Sequence, residues 1–440
     1  MVRAYFFITL ILLFILIGYS WNGSLLGSHK IRQGDTLFTA YSYCKEDGAS
    51  FLYPKTLFRG DTGGVAIGEF PIYSWMLSLP CHISRDWSDN AARLTSFILF
   101  FLGLYIWGLF FQSRLQIKWP GWPIYLSLAL FSSQTLTHYF IILPDVASFL
   151  LIGVSAFFYE KKSQSAYLDN FVYKPLSIIF FTMGFLTRPY MIPLLAIIIP
   201  FDWGTFKNSM KKVAPYLVLS ILGYIFWFKY WSKNSEVTYF AINFKIIDFI
   251  NQWQTIVGAT FSRIFRDVLN YVGLIPLAYL MFKKKITVSD TVNITGGIIL
   301  IWGATTYAVI NHGYYLNAVS LIIIFYMISH WNEFPKKWAT LFIFLWSLIG
   351  LSSNVHQFDP KRAIHEQAHF DQIKLDYEIK DFEKIVVYQN GWIPEPFYRM
   401  KAMGHSWPPE TFDEGKSCPK NVRVFYLAAE KRAGYCLLEK

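Results

Sequence analysis

Charge is scarce in this sequence. Asp, Glu, Lys and Arg make up 16% of its 440 residues, hydrophobic residues make up 54%, and the mean hydropathy is +0.33. That composition excludes an ordinary soluble domain. Acid is scarcer still: 29 Asp and Glu stand against 40 Lys and Arg, a formal net charge of +11. A basic excess often marks a nucleic-acid partner. Here the bases gather in short segments between apolar runs, as the positive-inside rule expects of cytoplasmic loops, so nucleic acid is set aside. No internal repeat or low-complexity tract occurs, which sets aside repeat architectures. No small-residue cleavage site follows the first apolar run, residues 5–21, which has Arg3 before it. That run reads as a retained signal-anchor with a cytoplasmic N-terminus.

What is there is a series of apolar runs, several of about 17–22 residues, long enough to cross a bilayer as helices. Helices are the reading such runs require, because lipid offers no partner to backbone polar groups. About eleven spans are expected: near 5–21, 91–111, 122–139, 145–159, 175–187, 189–201, 213–231, 271–282, 291–310, 316–329 and 338–351. Started inside, this alternation puts Arg114 and Lys118, Lys161 and Lys162, Lys207, Lys211 and Lys212, Lys283 to Lys285, and Lys336 and Lys337 on the cytoplasmic side. It puts outside a first loop over 22–90, Pro144-Asp145, Thr187-Arg188-Pro189, the stretch from Asn311 to Tyr315, and the tail. The expected fold is therefore an all-α polytopic membrane protein with a long first extracytoplasmic loop. Residues 1–355 form the transmembrane bundle, and 356–440 form a small extracytoplasmic α/β domain.

The four cysteines, Cys44, Cys81, Cys418 and Cys436, all fall on the outer side, where disulfides form. Of three possible connectivities, Cys44–Cys81 with Cys418–Cys436 is expected; four free thiols are the alternative. Over 243–270 apolar residues recur at helical spacing (Ile246, Phe249, Ile250, Trp253, Ile256, Val257, Phe261). That helix lies either in the membrane interface or packed on the bundle. In the tail, 363–381 reads as a polar helix, and 384–388 and 422–427 read as strands.

Ionisable groups near membrane depth are costly and tend to be functional. The outer side collects Asp35, Glu69, Asp145, Arg188 and His312. Each has a structural alternative. Asp35 stands before a helical run and would serve as an N-cap, and Asp145 would do so for its span. Glu69, ahead of Pro71, would complement a helix dipole. Arg188 would snorkel to headgroups. A separate motif, His365-Glu366-Gln367-Ala368-His369, matches the zinc-protease pattern His-Glu-x-x-His, with Glu366 as base. Its charged surroundings suit a solvated helix instead. A lipid-linked-sugar flippase or transporter is a further alternative.

The order of these pieces resembles the GT-C superfamily of membrane glycosyltransferases, which includes protein O-mannosyltransferases and aminoarabinose transferases. The resemblance runs over about residues 5–330. It rests on Asp35 in Gly-Asp-Thr-Leu-Phe-Thr-Ala-Tyr-Ser-Tyr, Glu69-Phe70-Pro71-Ile72-Tyr73, Ala91-Ala92-Arg93-Leu94, Pro144-Asp145, Thr187-Arg188-Pro189 and His312-Gly313-Tyr314-Tyr315. Several relatives have two adjacent acids in the first loop, whereas here Thr36 follows Asp35. The resemblance implies sugar transfer from a polyprenyl-phosphate donor to a cell-surface glycan or lipid, on the outer face of a bacterial inner membrane. Asp35 would be the general base. Arg188, with Tyr314 or Tyr315, would bind the donor phosphate. Alternatively a divalent metal ion held by Glu69 and His312 would do so. Asp145 is a further candidate at the acid, metal or phosphate site.

Overall fold

The protein is described from a computed structural model. It describes residues 11, 14, 15, 18, 30–46, 49–52, 54, 70–115, 121–139, 141–161, 165–199, 206–230, 246–283, 285, 295, 296, 298, 313–354, 370–372, 374–376, 378–381, 384–388, 403–407, 423–427 and 435–438. Glu69, His312, Cys418, the motif from His365 to His369, and most of the spans expected at 5–21 and 291–310 lie outside them. The chain divides into two compact units. One comprises Met1–Tyr19, Ser96–Ile225 and Phe240–Phe358; the other comprises Ser20–Thr95, Phe226–Tyr239 and Asp359–Lys440.

The described α-helices of four residues or more are α1 (Lys30–Lys45), α2 (Ile72–Ser84), α3 (Asp89–Leu115), α4 (Gly121–Leu130), α5 (Ser133–His138), α6 (Asp145–Glu160), α7 (Lys174–Thr187), α8 (Leu195–Ile198), α9 (Phe206–Tyr224), α10 (Ile246–Arg263), α11 (Leu274–Phe282), α12 (Asn317–Ser329) and α13 (Lys336–Asn354). Among the described residues α3 is the one helix long and apolar enough to cross a membrane by length and composition; Pro189–Ile198, Asn317–Ser329 and Lys337–Ser353 are shorter apolar segments. Its 27 residues span about 40 Å at 1.5 Å per residue. Phe100, Leu104, Trp107 and Phe111 are buried along one side of α3, while Leu94, Ile98, Leu102 and Tyr105 are exposed along another. An exposed apolar stripe of that length is costly in water and suited to lipid.

In the first unit α3 and α6 run parallel. The Trp107 indole N–H donates to the Phe149 carbonyl at 2.9 Å, and Arg114 pairs with Glu160 at 2.7 Å where both helices end. Gly153 lets the two come together, since a Cβ there would sit 2.8 Å from the Trp107 indole nitrogen. α7 returns antiparallel to α6. The buried hydroxyl of Ser155 meets that of Ser177 at 3.1 Å, and Ser148 donates to the Gly184 carbonyl at 2.8 Å. Ser177 also meets the Tyr216 hydroxyl of α9 at 2.7 Å. Small residues and hydroxyl pairs are what helices use to approach closely where lipid removes the hydrophobic drive.

The span expected over 122–139 is two helices. Ser132 caps α5, its side chain accepting from the Thr135 backbone N–H at 3.0 Å, so the chain turns between α4 and α5. Beside that turn the Asn270 side chain donates to the carbonyls of Phe131 and Trp346, at 2.9 and 3.1 Å. The helix over 246–263 passes into a π-helix, Ile264–Val268, with Ile256 and Ile264 buried and Trp253 and Phe261 exposed.

In the second unit α1 and α2 lie side by side, joined by a Cys44–Cys81 disulfide and by Ser74 Oγ donating to the Thr36 carbonyl at 3.1 Å. The tail forms a four-stranded sheet, order β2-β1-β3-β4, from β1 (Lys384–Tyr388), β2 (Met403–Trp407), β3 (Arg423–Leu427) and β4 (Tyr435–Leu438). β1 is parallel to β2 and to β3, and β4 is antiparallel to β3, with Cys436 opposite Tyr426.

Candidate active site

A buried polar cluster forms where α6 begins and α7 ends. The antiparallel pairing of those helices brings Asp145 and Arg188 to the same level. Pro189 disfavours the α region for the residue before it, and Arg188 is extended there (φ −145°, ψ 91°). The chain then continues as a 3₁₀ turn, Pro189–Leu194, which breaks the apolar run as expected.

Asp145 is 0% and Arg188 3% exposed. The Arg188 Nε–H donates to Asp145 Oδ2 at 2.9 Å. Asp145 Oδ1 accepts from the Tyr190 hydroxyl and from Asn317 Nδ2, the latter at 2.7 Å. Tyr190 packs its ring edge-on against Tyr315 with centroids 4.7 Å apart, and the Arg188 guanidinium lies 5.7 Å from the Tyr190 ring centre. A charge this deep is tolerable only when paired and hydrogen-bonded, and both conditions are met here. Three donors thus converge on one carboxylate. Asp145 therefore holds Arg188 in place.

Neither structural alternative describes this pair. Asp145 is the first residue of α6 and the cap position is Pro144, with no side-chain cap bond. Arg188 is buried against Asp145 rather than reaching outward. Of the residues expected at the site, the structure brings together Asp145, Arg188 and Tyr315. Tyr314 lies beside Tyr315 in a 3₁₀ turn, Gly313–Leu316. Tyr190 and Asn317 were missed. A tyrosine two residues past the Arg-Pro break was the available signal for the first, and nothing local marks Asn317.

Asp35 belongs to the second unit. It was expected to precede a helix, but α1 starts at Lys30, so Asp35 lies inside it. It pairs with Arg32 one turn before, at 3.8 Å, and its carbonyl accepts from Thr39 Oγ1 at 3.0 Å. The N-cap alternative therefore falls away. Farther along α1, Tyr41 is buried, donates its hydroxyl to Asp381, and sets its ring edge-on to Trp87 at 5.7 Å. Burial first, then the hydrogen bond and charge of Asp381 and the charge of Asp89, push the Tyr41 hydroxyl well above its ordinary value. It is thus a donor at neutral pH. Among the described residues no three His, Cys, Asp or Glu side chains converge as a metal site.

No family model matches the chain, and no curated protein sequence matches it significantly. Two solved structures do resemble it. The structure of ArnT from Cupriavidus metallidurans bound to undecaprenyl phosphate aligns with a TM-score of 0.57 and 10% identity, over 92% of this chain and 85% of that one. The same protein in its apo state aligns with a TM-score of 0.52 and 9% identity, over 92% and 86%. The helical body of this chain therefore has a fold similar to that of ArnT.

Proposed function

We propose that the protein is an integral membrane glycosyltransferase that moves a sugar from a polyprenyl-phosphate donor to a glycan or lipid acceptor outside the cytoplasm. The observation that carries this reading is the fold match over 92% of the chain to a protein solved with undecaprenyl phosphate. The lipid-suited stripe on α3 supports the membrane location.

In the proposed reaction an acceptor hydroxyl attacks the anomeric carbon. The new acceptor–sugar bond forms as the bond from sugar to phosphate oxygen breaks, and the electron pair leaves with the lipid phosphate. The acceptor's proton goes to Asp35. General-base help of this kind contributes about 10²–10⁴-fold. Arg188 faces the leaving phosphate. Paired with Asp145 it is neutral as a unit, so what it offers is directed N–H donors rather than net charge. Asp145, Tyr190 and Asn317 position that guanidinium. We carry forward the alternative in which Glu69 and His312 hold a divalent ion at the phosphate; transfer by the wild-type protein would then stop on chelation and return with added metal.

The test uses the purified full chain in nanodiscs with a panel of polyprenyl-phosphate sugars. Free polyprenyl phosphate should appear in step with glycosylated acceptor. Movement of the intact donor across the bilayer, or no release of lipid phosphate from any donor, would overturn the proposal.

A further inference from the structure

The tail reaches the first outer loop through a partly buried hydrogen bond. Tyr41 of α1 donates to one oxygen of Asp381, and Lys374 pairs with the other. The partners are 340 residues apart in sequence. Tyr41 is also held by Trp87, whose indole N–H donates to Asp89 at 2.5 Å, at the start of α3. The ties on α1 include Thr36 through Ser74, Cys44 through the disulfide to Cys81, Tyr41 through Asp381, and Lys45 through the Arg85 carbonyl and Asp86. The first two ties come from α2, the neighbour in the same loop. Asp381 makes the third, and it comes from the segment just before β1.

We propose that Asp381 is a positioning residue for α1, so that the tail sets the placement of the loop helix carrying Asp35. This rests on the reading of Asp35 as the base. The hydrogen bond falls two turns beyond Asp35, between the Thr36 tie and the disulfide. Without it, the others of these ties all come from the same loop, and α1 loses this link to the tail. The Asp381 carboxylate is itself half-exposed, with 43% of its side-chain surface accessible, and is steadied by Lys374. Losing the Tyr41 hydroxyl therefore does not strand a buried charge.

The test compares wild type with Tyr41→Phe, Asp381→Asn and the double variant, as full chains in nanodiscs. Tyr41→Phe keeps the ring and its contact with Trp87, so it is the variant expected to fold without loss. Two readouts are taken: amide hydrogen exchange over 30–45, and donor turnover resolved into kcat and KM. In each single variant exchange over 30–45 should rise about tenfold, and kcat should fall about tenfold with donor KM within twofold of wild type. The double variant should be no worse than the worse single, and Asp381→Glu should recover part of the loss. Unchanged exchange in Tyr41→Phe overturns the tie. Raised exchange with wild-type kcat overturns the positioning role. If the wild-type protein releases no lipid phosphate from any donor, the glycosyltransferase reading fails by itself; raised exchange then still supports the tie, and unchanged exchange still overturns it.

Discussion

Asp145→Asn puts the buried ion pair to the most direct test. The substitution keeps the side chain's shape and removes its charge. Neither partner can turn to water, since Asp145 is 0% and Arg188 3% exposed. Breaking a buried pair by removing one partner costs about 3–5 kcal/mol, because the remaining charge stays buried and uncompensated. The bonds that Tyr190 and Asn317 give to Oδ1 persist in kind but weaken, as an amide oxygen accepts less strongly than a carboxylate. A loss of about 4 kcal/mol is therefore expected, a shift of roughly 10³-fold in the unfolding equilibrium at 1.36 kcal/mol per factor of ten. Reversible SDS titration in mixed micelles reads it. The second arm is Asp145→Asn combined with Arg188→Gln, which removes both charges while keeping a donor facing an acceptor. It should recover most of the lost stability, to within about 2 kcal/mol of wild type, because no isolated charge remains. Turnover should stay low in both variants, since neither presents a correctly held guanidinium. A single variant that loses less than about 1 kcal/mol, or a double variant worse than the single, would refute the reasoning.

Four further outcomes are expected. Asp35→Asn should lower turnover by about 10²–10⁴-fold while yield and melting hold, since Asn and Asp are near equals inside a helix; wild-type transfer by the folded variant would take the base role from Asp35. Replacing Cys44 and Cys81 by Ser should cost about 4 kcal/mol by loop closure over a separation of 37 residues, read as a lowered unfolding midpoint. Gly350→Ala should destabilise by about 1–3 kcal/mol or more, because the new Cβ would sit 1.9 Å from the Phe131 carbonyl oxygen, whereas Gly258→Ala, with nothing within 4 Å, should be harmless; equal melting of the two would remove the close-approach argument. The raised Tyr41 hydroxyl gives an alkaline limit. The unfolded phenol ionises near pH 10 and the folded one only above that, so this contribution is full below about pH 10 and lost as pH rises beyond it. Tyr41→Phe should therefore lose less stability than wild type between about pH 10 and 11, and equal slopes would count against a held hydroxyl.

Much of the scaffold was legible in the sequence because it follows from local rules. Hydropathy marks α3 and α6, the run through α7 stops at Arg188-Pro189 because proline restricts the residue before it, and the β-branched run at 384–388 forms β1. The break between α4 and α5 had only a serine cap to announce it, and hydropathy averages over so short a signal. Asp35 read as a base or, alternatively, a cap, and the second falls because Asp35 lies inside α1, Lys30–Lys45; helix starts are set by packing as much as by cap residues. β2, Met403–Trp407, has no β-branched residue and pairs because β1 lies beside it. The rest belonged to tertiary structure alone. Asn317 meets Asp145 across 172 residues, Tyr41 meets Asp381 across 340, and Gly350 admits a carbonyl from Phe131. No window of sequence contains both members of such a pair. The sequence by itself determined which residues could bear charge at depth and where helices had to break. Only the packing of α6 against α7, and of the turn Pro189–Leu194 against α12, decided that Asp145 would be spent on holding Arg188, because a buried charge takes its role from whatever partners the fold brings within hydrogen-bond reach.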